Sequence, residues 1–259
     1  MHPAQQIRAA LARVAELRAA AAGTPALRSA LEGVRNFQSR RFAATYADLA
    51  ADRVTGPATL FFLQELYGGR DYAHRDGQFA RVAGTIEQTF PQDVVAATVE
   101  VAQLHAISEA LDHAMAQAWL DRVTEQGRPD AQLDIDAYVR IWRTVGRRAD
   151  RQWQLQTVVS VGQALGRLTR KKALGWMLRL MQAPAKAAGM GDLQHFLAMG
   201  FDTFGGMAAQ PGGVARFLDT IGQREAGWIH ALFDDEPGRV QGALAQQLKG
   251  LPPAGIHQG

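Results

Sequence analysis

Six polar or charged residues lie at the end of an apolar segment that contains Phe61 and Phe62, or follow closely after it. On a helical wheel this segment leaves almost no polar position, which is typical of a buried helix. The six candidate residues are Glu65, Tyr67, Arg70, Asp71, Arg75 and Asp76. An arginine can hold a carboxylate or phosphate through two parallel hydrogen bonds, and a buried carboxylate needs a partner or a proton. The pattern therefore predicts either a site for a small acidic ligand or an ion-pair network that fixes how two helices meet.

A second group of titratable residues recurs along a single predicted helix. His105, Glu109, Asp112 and His113 stand at positions i, i+4, i+7 and i+8, which places them on one face. Glu109 and His113, with His105 nearby, have the ligand types of a metal site. Helical di-metal proteins use Glu and His three residues apart, whereas the spacing here is four. The alternative is an ordinary solvated face, because the apolar stripe through Leu104 points elsewhere.

The segment 167–181 combines a basic run with apolar residues at helical spacing. Arginine and lysine occupy position 167 and residues 170–172, and Trp176 follows. A basic amphipathic helix that carries tryptophan can lie on an anionic membrane surface. The alternative is a surface helix packed on the core through its apolar side. No aromatic platform interleaves with the charges, so nucleic acid is not a predicted partner.

The composition excludes several kinds of site. The chain has no cysteine, so it has no disulfide, thiolate metal site or cysteine nucleophile. No serine lies in a Gly-x-Ser-x-Gly motif, and the glycine pairs 205–206 and 212–213 lack the context of a phosphate-binding loop. The 28 basic and 25 acidic residues leave a net charge of +3, too small to indicate nucleic-acid binding. Neither a signal peptide nor a membrane-spanning apolar run is recognised, so a cytoplasmic location is expected.

Helical elements must position these residues, because apolar side chains recur at helical spacing along almost the whole chain. A first helix is predicted over about 1–22. Thr24 and Pro25 then form an N-cap and a first-turn proline, and 25–51 is predicted as one long helix. The predicted fold is an all-α, single-domain array of about nine or ten helices without a sheet. Residues 240–259 are predicted to form a frayed tail.

Residues 61–67 read Phe-Phe-Leu-Gln-Glu-Leu-Tyr and are followed by Arg70 and Asp71. This stretch resembles the signature of the bacterial FFLEELY motif proteins, with Gln64 where the family name has glutamate. Weaker similarities, including residues 217–225, extend the resemblance over most of the chain. The resemblance implies a bacterial, helical, single-domain protein, and it brings no catalytic residues with it.

Three functions follow from these patterns. The favoured prediction is a non-catalytic binding or interaction module, without a cofactor or membrane span, for a small acidic ligand or a protein partner; a homodimer is compatible with it. The alternative is a metal-carboxylate or haem-oxygenase-like helical enzyme that uses His105, Glu109 and His113 with a divalent metal or haem. The third is a protein that binds a membrane surface through residues 167–181.

Overall fold

The computed structural model describes residues 1–65, 72–128 and 131–249, with only the main chain of Glu65. Within these ranges the chain forms thirteen α-helices and no strand, so the all-α prediction is confirmed and nine or ten helices are too few. The helices are α1 (Pro3–Ala22), α2 (Pro25–Thr45), α3 (Ala47–Ala51), α4 (Gly56–Glu65), α5 (Ala73–Thr89), α6 (Gln92–Glu125), α7 (Ile135–Val145), α8 (Arg148–Leu168), α9 (Lys172–Leu180), α10 (Gln182–Ala187), α11 (Gly191–Ala208), α12 (Gly213–Asp234) and α13 (Pro237–Leu248).

Additional helices arise where the chain breaks without a proline or glycine to mark the break. The helix predicted over 25–51 divides at Tyr46, whose φ of −116° and ψ of 19° are not helical. The hydroxyl of Tyr46 donates a hydrogen bond of 2.8 Å to Glu225 of α12. This contact joins residues 179 positions apart, so the local pattern cannot reveal it.

Residues 240–248, expected to belong to a frayed tail, lie in α13 instead. Val240 and Leu244 are 1 % and 0 % exposed, because α13 packs against α2 and α7. The carboxylate of Glu236 caps the helix by accepting a hydrogen bond of 2.9 Å from the backbone N–H of Gly238. The few apolar residues of this short terminal segment do not by themselves reveal that α2 and α7 offer a surface for it to pack on.

The 34-residue helix α6 lies at the centre, where it packs against α1, α2, α7 and α8. Leu111, Met115 and Ala116 on this helix are almost completely buried. In the described part of the chain, α6 alone is long and apolar enough to cross a membrane. The core helix of a soluble protein meets the same criterion.

Two large hydrophobic clusters hold the helices together. One surrounds Tyr138 and joins α2, α6, α7, α12 and α13. The other surrounds Phe204 and Phe217 and joins α2, α4, α6, α8, α11 and α12. α8 and α12 approach closely at Gly162, where an added Cβ would lie 2.4 Å from the side chain of Leu218. A larger residue at position 162 would therefore push the two helices apart.

The turn between α7 and α8 is unusually tight. Gly146 and Arg147 have φ values of 64° and 56°, and Arg147 is the only non-glycine residue with positive φ in the described ranges. α8 therefore begins beside the end of α7. This geometry places the guanidinium carbon of Arg151 3.3 Å from the ring centroid of Trp142.

Candidate functional site

A cavity of about 260 Å³ lies among α2, α4, α5, α6, α8, α9 and α11 and is also lined by Leu11 of α1; we call it the central chamber. Most of its wall is apolar, and the side chains that form this part of the wall include Phe79, Val101, Val161, Leu178 and Phe201. Protein interiors are packed like organic crystals and hold few voids larger than a water molecule. A chamber of this size is therefore a feature of the fold and not ordinary packing looseness.

Charged residues gather at one side of the chamber, which we call its charged end. Its members are Arg35, Asp76, His105, Glu109 and Asp112, contributed by α2, α5 and α6. They give the apolar cavity one polar wall, an arrangement typical of small-molecule sites.

Arg18 of α1 connects two carboxylates of the charged end, Asp76 and Glu109. One terminal nitrogen donates to Asp76 at 2.8 Å, and the other donates to Glu109 at 3.0 Å. Nε2 of His105 lies 2.9 Å from the same oxygen of Asp76. α1 is thereby joined to α5 and α6 by charge-assisted hydrogen bonds, which are stronger than neutral ones.

Arg35 of α2 completes the network from the other side of α6. It donates to the second oxygen of Glu109 at 2.5 Å and lies 3.7 Å from a carboxylate oxygen of Asp112. The amide of Gln38 donates to the other oxygen of Asp112 at 3.1 Å. Both oxygens of Glu109 are therefore held by arginine, whereas the charge of Asp112 is only weakly compensated.

The pKa values of Asp76 and Asp112 are shifted in opposite directions. Burial disfavours the charge of Asp76, but the hydrogen bond with His105 and the charge of Arg18 outweigh it and lower the pKa of Asp76. Burial dominates at Asp112 and raises its pKa to about 6, although the positive charge of Arg35 opposes this. Folding therefore disfavours the charged form of Asp112 and favours that of Asp76.

Of the first predicted group, Arg75 and Asp76 line the chamber. The guanidinium of Arg75 stacks between two rings, 4.1 Å from the centroid of Tyr72 and 4.4 Å from that of Phe196. Asp76 is 8 % exposed. The remaining candidates lie outside the described residues, namely the side chain of Glu65 together with Tyr67, Arg70 and Asp71.

The second predicted group divides into two parts. His105 and Glu109 join Asp76 at the charged end, so residues that the sequence separates into two candidate sites meet in one. The expectation that Glu109 lies on a solvated face is wrong, because it is 8 % exposed between α1 and α2. His113 does not line the chamber, and burial lowers its pKa. Among the described residues, no cluster of three or more histidine, aspartate or glutamate side chains has a geometry that could hold a metal ion.

Sequence analysis missed the basic half of the site, which comes from α1 and α2. Arg18 follows Leu11 and Val14 at helical spacing, and both of those residues are buried. Arg35 likewise stands four residues after the buried Leu31. A charged residue in register with a buried stripe was the available signal, since such a residue needs a buried partner.

Comparison with known proteins gives one result. A family model described as "Domain of unknown function (DUF8198)" matches residues 17–239, a range that includes every described residue of the charged end. No curated protein and no solved structure matches the chain.

Proposed function

We propose that this chain, which belongs to the family described as a domain of unknown function (DUF8198), binds a small amphiphilic molecule without transforming it. The apolar part of the ligand would occupy the central chamber, and the charged end would orient it. The observation that carries this proposal is the chamber itself, with about 260 Å³ of space and a largely apolar wall. An engineered apolar cavity of about 150 Å³ in another protein binds benzene, so this volume accommodates a larger group.

The apolar wall supports the proposal. An apolar group that enters the chamber leaves water and gains contacts with the side chains that line it. A ligand that binds only the folded protein would also stabilise it by mass action.

Binding is favoured over catalysis because most of the polar groups at the charged end already satisfy one another. Glu109 is held by two arginines, and Asp76 is held by Arg18 and His105. The hydroxyl of Ser108 donates to a backbone carbonyl and accepts a hydrogen bond of 2.7 Å from Gln154. These groups are arranged as a rigid polar wall, and none of them is poised as a nucleophile next to a base.

Filling the chamber should weaken ligand binding. We expect Val101→Trp to weaken binding of a neutral naphthylamine dye, whose fluorescence rises in apolar surroundings, by about tenfold or more. The matched control is Ala96→Trp, because Ala96 is exposed on the same helix and does not line the chamber. Fluorescence titration of the wild type and both variants, with circular dichroism to verify folding, measures the effect. Equal affinities in all three proteins would place the dye elsewhere and remove the basis of the proposal.

A second candidate function, docking on an anionic membrane surface, is favoured by the exposure of α9. Leu174 and Leu178 on this helix line the chamber, whereas Trp176 and Leu180 are 66 % and 61 % exposed. Residues 167–187 contain only basic charges and no acidic residue. Exposed apolar residues next to basic side chains are complementary to an anionic lipid headgroup layer.

We expect the wild-type protein to sediment with vesicles that contain phosphatidylglycerol and not with vesicles of phosphatidylcholine alone. Trp176→Ser should reduce this association several-fold, because tryptophan anchors such helices at the interface. Trp153→Ser is the control, since Trp153 of α8 is also exposed, at 39 %, but lies away from α9. Vesicle association that is unaffected by Trp176→Ser would argue against membrane docking. So would the absence of lipid binding together with a dimer, seen by light scattering, that depends on Trp176.

A further inference from the structure

A second and smaller cavity, of about 70 Å³, adjoins the central chamber, and we call it the arginine pocket. Its lining includes Arg41, Trp142 and Arg151. Gln38 and Gln154 line both cavities, so the pocket lies directly behind the polar wall of the chamber.

The two arginines of the pocket are equally buried but differ in their partners. Arg41 is 3 % exposed and forms a bidentate ion pair with Glu225, with distances of 3.2 and 2.8 Å. Tyr46 donates a further hydrogen bond of 2.8 Å to Glu225. Burial works against the charge of Arg41, but Glu225 keeps its pKa above the usual arginine value.

Arg151 is 4 % exposed, and its guanidinium has no hydrogen bond or ion pair with any described residue. Two of its nitrogens, Nε and Nη2, are buried without an acceptor, and so are Nε of Arg41 and Nε1 of Trp142. All four atoms are donors only. Burial lowers the pKa of Arg151 to about 10, so it carries its charge at neutral pH.

Buried donors without acceptors, beside a buried cation without an ion pair, are suited to binding an anion. More than about nine in ten buried polar groups in native structures have a partner, and breaking a buried ion pair so that one charge stays uncompensated is strongly destabilising. Because Glu225 already neutralises Arg41, Arg151 is the cation of the pocket that has no ion pair with a described residue. Asp112 is close enough to interact with Arg151 electrostatically, but its ion pair is with Arg35 and its hydrogen bond is with Gln38. A compact monoanion fits this charge better than a dianion.

We propose that Arg151, together with Trp142 and the Nε edge of Arg41, binds a carboxylate in the arginine pocket. The carboxylate is either the head of the ligand whose apolar part fills the chamber or a free small acid. In the first case the inference rests on the proposed function and specifies its ligand as an acyl-chain acid or a similar anionic amphiphile. The ring of Trp142 holds the guanidinium of Arg151 in place, which is a common use of cation–π stacking.

Comparing two ligands of equal chain length distinguishes the contribution of the head group to the affinity from that of the apolar tail. We would measure the affinities of octanoate and octanol for the wild type and for Arg151→Met by calorimetry at constant ionic strength, with circular dichroism to verify folding. The wild type should prefer octanoate by about tenfold or more, which is the size of one charge-assisted hydrogen bond. Arg151→Met should abolish this preference and leave the affinity for octanol unchanged. Arg151→Lys, which keeps the charge but loses the planar donors, should retain part of the preference.

Acetate and Val101→Trp distinguish the two sources of the carboxylate. Octanoate binding that is lost in Val101→Trp supports a shared ligand. If acetate still binds to Val101→Trp but not to Arg151→Met, the pocket binds a free small acid. This result would support the inference even if octanol does not bind, in which case the proposed function would fail. Equal affinity for octanoate and octanol in the wild type, with no binding of acetate, would overturn the inference while leaving the chamber intact. A preference for octanoate that survives Arg151→Met would overturn it as well.

Discussion

Replacing Arg41 by methionine should lower the free energy of unfolding by about 3–5 kcal/mol, because it leaves the buried carboxylate of Glu225 without its cation. The same replacement at Arg151 should cost nothing, or raise stability by about 1 kcal/mol, in a buffer free of carboxylates. The two residues form a matched pair, since they line one pocket and are 3 % and 4 % exposed. They differ in that only Arg41 has an ion-pair partner among the described residues.

The expected sign at Arg151 is unusual for a buried residue, where truncation normally destabilises. Methionine keeps the length of the arginine side chain and packs well against an aromatic ring, so most of the contact with Trp142 would persist. The substitution removes a buried charge and two unpartnered donor groups. Losing the cation–π contact, worth about 2 kcal/mol where the cation is desolvated, offsets part of that gain.

Urea denaturation followed by circular dichroism measures both effects, because a shift in midpoint at constant slope reports a change in stability alone. Adding octanoate should then stabilise the wild type but not Arg151→Met, as linkage requires of a ligand that binds only the folded state. Were Arg151→Met to lose as much stability as Arg41→Met, Arg151 would have a structural partner and the arginine pocket would no longer need an anion.

The helical class of this fold could be predicted from sequence, whereas its chamber could not. Apolar spacing identifies Val101 and Leu111 alike as inward-facing positions of α6. Leu111 packs against neighbouring side chains at 1 % exposure, but Val101 lines an open cavity. Hydrophobicity reports which side of a helix avoids water. It does not report whether the opposing helices come close enough to fill the space.

The charged end could be predicted only in part for a related reason. Asp76, His105 and Glu109 were all recognised as candidates, but they belonged to two separate groups in the sequence. Arg18 joins them, and it stands 58 positions from Asp76 and 91 from Glu109. Glu109 was expected to be solvated because it lies off the apolar stripe. A central helix that is covered on several sides has no solvated face at this position, so its polar residues must be matched by charges on the covering helices.

Replacing Glu109 by glutamine should therefore lower the free energy of unfolding by about 3–5 kcal/mol, although the two side chains have nearly the same shape. The carboxylate accepts hydrogen bonds from Arg18 and Arg35, at 3.0 and 2.5 Å. A glutamine amide keeps one acceptor oxygen but turns an NH₂ group toward the second arginine, so two cations would face one neutral side chain. The measurement is again urea denaturation. A loss below about 1 kcal/mol would be no larger than that of an exposed surface ion pair, and it would contradict the conclusion that this buried network stabilises the fold.

Asp112→Asn provides the matched control and should have the opposite sign, which makes the pair of variants diagnostic. The pKa of Asp112 is raised from 3.8 to about 6 in the folded protein, so folding disfavours its charged form. The resulting penalty is absent below the unfolded pKa of 3.8, grows as pH rises, and is complete above about pH 6. We therefore expect Asp112→Asn to be more stable than the wild type by about 2–3 kcal/mol above about pH 6 and to lose this advantage as the pH falls toward 3.8. Because Glu109 and Asp112 contact the same Arg35, opposite effects would show that pairing, and not negative charge as such, holds α6 to α1 and α2.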